Sequence, residues 1–199
     1  MKKVRIVLWC VVVLLGGVVT WLAFALSESK QHMTEGPYGA PFQLVAQNGQ
    51  PITEKAFQGK PTALFFGFTH CPEVCPTTLF ELNGWMEKVD PAGDKMQGYF
   101  VTVDPERDTP EILGQYISNV TSRITGIAGE PDKIAEMIKS FRVYAKRVPV
   151  DEKDPNGEYT MDHTASVFLL DAQGRFVSTI AYGENPDVAV QKLQNLLKG

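Results

Sequence analysis

Residues Pro61-Thr62-Ala63-Leu64-Phe65-Phe66-Gly67-Phe68 form a continuous apolar run broken only by Thr62. A strand of this kind lacks the apolar/polar alternation of a half-exposed strand, so it must be covered on both faces. Its neighbours supply the cover. From about Pro76 to Val89 the spacing predicts a helix with Leu79, Leu82, Trp85 and Met86 on one face. Tyr99–Val103 is the next strand, and Thr109-Pro110-Glu111 offers an N-cap, a proline at N1 and an acid in the first turn of a helix to about Tyr116. Ile124–Ile127 reads as a short strand. Pro131 opens a helix with Ile134, Met137, Ile138 and Phe141 at i, i+3, i+4 and i+7.

Two further strands, Ala165–Leu170 and Arg175–Ile180, are joined by the hairpin-like Asp171-Ala172-Gln173-Gly174, and Asn185-Pro186 caps a last helix to about Leu197. Ahead of the central run, Phe42–Val45 is a short strand candidate followed by a turn at Asn48-Gly49. The order β-α-β-α-β-α-β-β-α predicts an α/β fold with a layered, mixed central sheet. A thioredoxin-like three-layer arrangement fits it.

The N-terminus has a different character. Ile6 to Leu26 carries no charge over 21 residues, which at about 1.5 Å per helical residue covers roughly the 30 Å hydrocarbon core of a bilayer. Trp9 and Trp21 stand near its ends, and Lys2, Lys3 and Arg5 flank its start, as expected for one transmembrane helix with a cytoplasmic N-terminus. Ala23-Phe24-Ala25 resembles a signal-peptidase site, but the run exceeds the usual h-region, which favours an uncleaved anchor over residues 1–26. Cys10 reads as packing or lipid-facing filler. Residues 27–40 are polar and end in Gly and Pro, a tether that includes a solvated His32, and residues 41–199 form the domain. The short chain, with no transit peptide, points to a bacterial inner membrane with the domain in the periplasm.

The 199 residues hold 19 basic and 23 acidic side chains, a net −4. Lys2, Lys3 and Arg5 are three of those cations, so the chain beyond residue 26 has sixteen basic against 23 acidic residues, or −7. An acidic domain without a basic stripe is not built for nucleic acid. Three cysteines are too few for a disulfide scaffold.

Two of them, Cys71 and Cys75, fall where the central strand gives way to a helix, the end of an α/β sheet at which ligands bind. Residues four apart in a helical turn share a face, close enough to converge on one metal or to close a disulfide. A helix N-terminus favours the thiolate and so raises nucleophilicity and metal affinity. Pro72 and Pro76 restrict the loop and keep the helix from settling before residue 76. The alternative is a local structural disulfide, which would close too short a loop to stabilise much. The spacing also departs from the Cys-x-x-Cys of thioredoxin-like reductases.

Copper as Cu(II) would want an imidazole beside the sulfurs. His70 adjoins Cys71, but strand-end alternation points it away. His163 precedes the strand at Ala165, and on sequence alone a structural role competes; in a thioredoxin-like fold that loop lies beside the cysteine loop, which makes His163 a ligand candidate.

Cys71-Pro72-Glu73-Val74-Cys75-Pro76, Val101-Thr102-Val103-Asp104-Pro105-Glu106-Arg107-Asp108-Thr109-Pro110-Glu111 and Asp162-His163-Thr164 together resemble the Sco/SenC family over about residues 37–197. These are membrane-anchored copper proteins needed to assemble cytochrome c oxidase. The resemblance implies a thioredoxin-like domain binding one Cu(I) or Cu(II) through Cys71, Cys75 and His163. It implies delivery of copper to the oxidase's dinuclear copper site, or reduction of that site's cysteines, with the copper-site subunit and other copper chaperones or thiol reductases as partners. The alternative is a thiol–disulfide oxidoreductase using Cys71 and Cys75 without metal transfer.

A peroxiredoxin-type peroxidase would want Thr or Ser three residues before its cysteine, whereas Thr78 follows the pair; a structural zinc site would want a fourth ligand. Arg107 and Asp108 are expected to brace the middle loop as an exposed ion pair, with that loop forming the rim of the site rather than binding metal. The acidic Asp151–Gly157 segment is expected to be a solvated loop able to act as a flap that brings His163 in.

Overall fold

The computed structural model describes residues 5, 9, 14–21, 36–154 and 157–198, and the chain divides into two units, Met1–Gly36 and Pro37–Gly199. In the first unit residues 14–21 are helical and exposed. Among the described residues, no helix is long and apolar enough to cross a membrane. Lys2, Lys3, Cys10 and His32 lie outside the described residues, with most of the apolar run and most of the tether.

In the second unit the elements run β1 (Gln43–Ala46), β2 (Pro51–Thr53), a 3-10 turn (Glu54–Phe57), β3 (Thr62–Gly67), α1 (Val74–Val89), β4 (Gln97–Thr102), α2 (Pro110–Ser118), β5 (Ile124–Ala128), α3 (Pro131–Ser140), β6 (Ala145–Pro149), β7 (Tyr159–His163), β8 (Ser166–Leu170), β9 (Phe176–Ala181) and α4 (Pro186–Lys198). Seven strands make one sheet in the order β2-β1-β5-β4-β3-β8-β9, while β6 and β7 form a separate two-stranded ribbon. β3, β4 and β5 are parallel and their other partners antiparallel, so the sheet is mixed, with β3 between β4 and β8.

Every residue of β3 is buried, and its side chains alternate between two helical layers. Phe65 packs with Phe100 of β4, which meets Tyr116 of α2. Phe66 packs with Phe141 at the end of α3 and with Phe168 of β8. Each fully buried phenylalanine contributes about 1.5–3 kcal/mol of burial energy. Leu79, Leu82, Trp85 and Met86 form the buried face of α1, as their spacing predicts. Thr109 caps α2 by accepting from the Ile112 N–H at 3.3 Å, and Asn185 Oδ1 accepts from the Asp187 N–H at the start of α4.

Three expectations need correction. Helix α1 begins at Val74, not Pro76. Pro76 occupies the third helical position, where its missing N–H would have had no intrahelical partner. Cys71 therefore lies in the loop before the helix, and Cys75 lies in the helix. Second, Arg107 and Asp108 do not pair. Arg107 is ion-paired with Asp104, and Asp108 is buried and accepts from the Thr69 backbone N–H (3.1 Å), Thr69 Oγ1 (2.6 Å) and Thr102 Oγ1 (2.7 Å). Third, His163 does not sit in a loop before β8. It ends β7, in a ribbon that no apolar run announces, and the described residues of the acidic segment, 151–154 and 157, lie between β6 and β7.

The connection from α1 to β4 is organised by Asp90, which is 1% exposed. Its carboxylate accepts from the backbone N–H groups of Gly93, Asp94, Lys95 and Met96 at 3.0 to 3.3 Å. Burial alone would raise its pKa, but these four donors outweigh burial and hold it below the ordinary carboxylate value. A depressed folded pKa gives stability that is full above the unfolded value of about 4 and is lost as pH falls through the folded value. Asp90→Ala is expected to cost about 2–3 kcal/mol in urea unfolding at pH 7. The variant should also lose less stability than the parent between pH 4 and more acid conditions.

Candidate metal centre

β3 ends at Gly67, and the chain turns through Phe68–Glu73 into α1. The Cys71 N–H donates to the Phe68 carbonyl at 3.3 Å, which closes the turn and puts the Cys71 sulfur ahead of the helix. The Cys75 N–H, one of the helix-start donors without an intrahelical partner, donates to Cys71 Sγ at 3.3 Å. Cys75 is buried and Cys71 half-buried, and both are free thiols.

Gly67 makes this approach possible. A Cβ there would lie 2.9 Å from Cys75 Sγ and 2.9 Å from the ring of Phe100. Asp108 fixes the other side of the turn by tying Thr69 to Thr102 at the end of β4. With no basic partner at those bonds, burial raises the Asp108 carboxyl, against the three hydrogen bonds that lower it.

His163 reaches the sulfurs from β7. Its Nδ1 lies 3.1 Å from the Thr164 carbonyl. A carbonyl only accepts, so Nδ1 carries the proton and Nε2 the lone pair. Nε2 stands 3.5 Å from Cys75 Sγ. The imidazole packs edge-on to Phe65 and Phe68, at centroid distances of 6.1 and 5.7 Å.

The donor atoms of Cys71, Cys75 and His163 all lie within 4.8 Å of one another. Sulfur and nitrogen ligands sit about 2.0–2.3 Å from a soft metal, so three donors around one ion are separated by up to about 4 Å. Closing the gap takes a shift of under about 1 Å. Two thiolates and an imidazole suit copper or zinc and not a hard oxygen-seeking cation.

The thiols are inequivalent. The hydrogen bond from the Cys75 thiol pulls Cys71 down to about 4, against the cost of burial and with help from the N–H groups of Cys75 and Glu73. The same hydrogen bond, together with burial, pushes Cys75 up. The pair thus holds one proton between its sulfurs, on Cys75.

The structure brings together Cys71, Cys75 and His163 and leaves His70 apart. That histidine is exposed, its Nδ1 3.1 Å from Thr69 Oγ1. Gly67 and Tyr116 were not singled out from sequence, and Asp108 only as a partner for Arg107. The Tyr116 hydroxyl is buried with no hydrogen-bond partner among the described residues, and burial first, then the charges of Cys75, Cys71 and Asp108, push it up. No local pattern marks these three, because each acts through a neighbour on another element.

Fold and site define a three-layer, thioredoxin-like α/β domain presenting a Cys₂His metal- and redox-capable centre at the end of its central strand. Residues 30–198 match the family model described as SCO1/SenC, and the chain belongs to that family. The Bradyrhizobium japonicum ScoI structure with copper bound is 46% identical, covers 79% of this chain and 98% of its own, and superposes with a TM-score of 0.71. Yeast Sco1 with copper bound is 32% identical over 82% of this chain and 90% of its own, with a TM-score of 0.73. The Saccharomyces cerevisiae mitochondrial protein SCO2 is 35% identical over 161 residues, 80% of this chain and 53% of the yeast protein. The chain thus spans about half the length of that relative.

The inequivalence of the thiols is directly measurable. Under iodoacetamide the reduced protein should be alkylated at Cys71 before Cys75. The Cys71 rate should stay nearly level from pH 8 to pH 5 and fall as pH approaches about 4. Equal modification of both cysteines, or a rate that falls tenfold per unit below pH 8, would contradict the assignment.

Proposed function

We propose that this protein binds one copper ion, as Cu(I) or Cu(II), through Cys71, Cys75 and His163. It uses that ion to supply the dinuclear copper site of cytochrome c oxidase during assembly, or uses its thiols to reduce that site's cysteines. The observation that carries this reading is the convergence of two thiols and an imidazole within 4.8 Å, in a chain 46% identical to a relative that holds copper. Two thiolates satisfy Cu(I), and Cu(II) gains from the imidazole nitrogen. The half-buried Cys71 leaves the ion accessible to an incoming donor or acceptor. The proposed organisation is an N-terminal membrane anchor over residues 1–26, a tether over 27–40 and the copper domain over 41–199. The domain then lies on the periplasmic side of the inner membrane, facing the copper-site subunit and the chaperones or reductases that serve it.

A second reading, thiol–disulfide exchange without metal transfer, is favoured by the low pKa of Cys71 beside a protonated Cys75. The Cys71 thiolate would attack a partner disulfide, forming a mixed disulfide and releasing one partner thiolate. Cys75, on losing its proton, would then attack Cys71 Sγ. Two electrons pass to the partner, which leaves as a dithiol, and the domain keeps a Cys71–Cys75 disulfide.

Copper titration of the protein separates the readings. The parent should bind about one equivalent and show sulfur-to-Cu(II) charge-transfer absorption. His163→Ala should lose most of the Cu(II) form, at least tenfold in affinity, and retain most of the Cu(I) form. Cu(II) binding that survives the substitution would remove His163 from the ligand set. Restored oxidase assembly in cells carrying His163→Ala would favour the exchange reading, which does not need the imidazole.

A further inference from the structure

Among the described residues, β6 and β7 hydrogen-bond as strands only to each other, with Ala145 opposite His163 at one end and Pro149 opposite Tyr159 at the other. A lone two-stranded ribbon is marginal in water. The position of His163 therefore depends on what fastens the ribbon to the rest of the domain.

Tyr159 and His163 share one face of β7, four residues and about 13 Å apart. Tyr159 is held at its carbonyl and at its hydroxyl. Its carbonyl accepts from Arg107 Nη1 at 2.9 Å, and its hydroxyl donates to Asp104 Oδ1 at 2.8 Å. The guanidinium carbons of Arg107 and Arg147 each lie 3.7 Å from its ring centroid.

The charges around the ring balance. Arg107 is ion-paired with Asp104, which is 3% exposed, and Arg147 reaches Glu106 at 3.4 Å. Asp104, Glu106 and Arg107 belong to the loop after β4, so the grip joins the ribbon to the parallel core of the sheet. Arg107 also lies 5.9 Å from the ring of Phe68, the ring that packs against the His163 imidazole. Its Nη2 is buried with no hydrogen-bond partner among the described residues, so contact with the aromatic rings is what compensates its burial.

We propose that Tyr159, gripped by Arg107 and Arg147 above Asp104, is a positioning residue for His163: it fixes where β7 lies and so holds the imidazole Nε2 within reach of the two sulfurs. Both thiols lie on the β3–α1 junction, outside this grip. Loss of the grip therefore acts on the nitrogen ligand and spares the sulfur ligands. The copper consequence rests on His163 being a ligand as proposed above; the placement of the imidazole does not.

The test uses the full chain in two arms. In the metal-free protein, nuclear Overhauser contacts between the His163 ring and the rings of Phe65 and Phe68 report placement directly. Tyr159→Ala should abolish most of them, and Tyr159→Phe, which keeps the ring between the guanidinium groups, should retain them. Arg147 is 43% exposed, so Arg147→Ala leaves the buried Asp104–Arg107 pair intact and provides a folded variant that should weaken the same contacts.

In the copper arm, Tyr159→Ala should lower Cu(II) affinity tenfold or more while Cu(I) affinity changes less than threefold, and Arg147→Ala should move it the same way by a few-fold. Unchanged His163–Phe68 contacts in both Tyr159→Ala and Arg147→Ala would overturn the proposal, as would an equal loss of Cu(I) and Cu(II). A parent that binds no copper would sink the copper reading alone, because the metal-free contacts still decide the role of Tyr159.

Discussion

The domain depends on the close approach of the first turn of α1 to the end of β3. At Gly67 the missing side chain leaves room for Cys75 Sγ and the Phe100 ring, each 2.9 Å from where a Cβ would be. Filling that space would force the helix start away from the sheet, at a cost of about 1–3 kcal/mol for an overpacked core. The larger loss would be geometric. The Cys75 N–H would leave Cys71 Sγ, and Cys75 Sγ would leave the imidazole, so the helix terminus would no longer favour a thiolate at Cys71. Core packing and sulfur chemistry share one contact here, which is why the site lies at the inner end of the most buried strand and not on a surface loop.

A buried polar set supports that contact from the other side. Asp108 spends both oxygens on Thr69 and Thr102, and so joins the loop leaving β3 to the end of β4. Removing any member would leave a buried donor or acceptor unpaired, the expensive direction for a hydrogen bond. Four residues earlier in the same loop, Asp104 is directed outward to Arg107 and Tyr159. One loop thereby holds the cysteine turn with one carboxylate and the histidine ribbon with another.

These facts bear on what the sequence could show. Continuous apolar runs and capped amphipathic helices announce themselves locally, and β3, α1, α2, α3 and α4 are legible within a few residues. So are Cys71 and Cys75, since both sit at one strand-to-helix junction. β6 and β7 were not legible: Ala145-Lys146-Arg147-Val148-Pro149 and Tyr159-Thr160-Met161-Asp162-His163 are short, charged and only partly buried. Only Ala145 and Met161 of the two strands pack on the core, too few apolar positions to make a pattern that the sequence displays. Arg107 and Asp108 differ from the expected pair for a related reason. Adjacent opposite charges suggest a pair, but neighbours leaving a strand end point in different directions, and each found a partner that only the folded chain brings near.

The distribution of ligands over elements has a consequence for how such a centre can hold and yield a metal. Both sulfurs belong to the β3–α1 junction, where the Cys75 N–H reaches Cys71 Sγ at 3.3 Å. The nitrogen belongs to a ribbon that, among the described residues, pairs as strands only with itself and is fastened by Tyr159 between two cations and by Ala145 and Met161 against the core. The sulfurs are thus tied within one junction, whereas the imidazole reaches them from a separate element. On the proposed reading, the softer ion relies on the sulfur pair, and the ion that needs the imidazole relies on the ribbon. The ribbon is then the element whose placement distinguishes the two oxidation states at this centre.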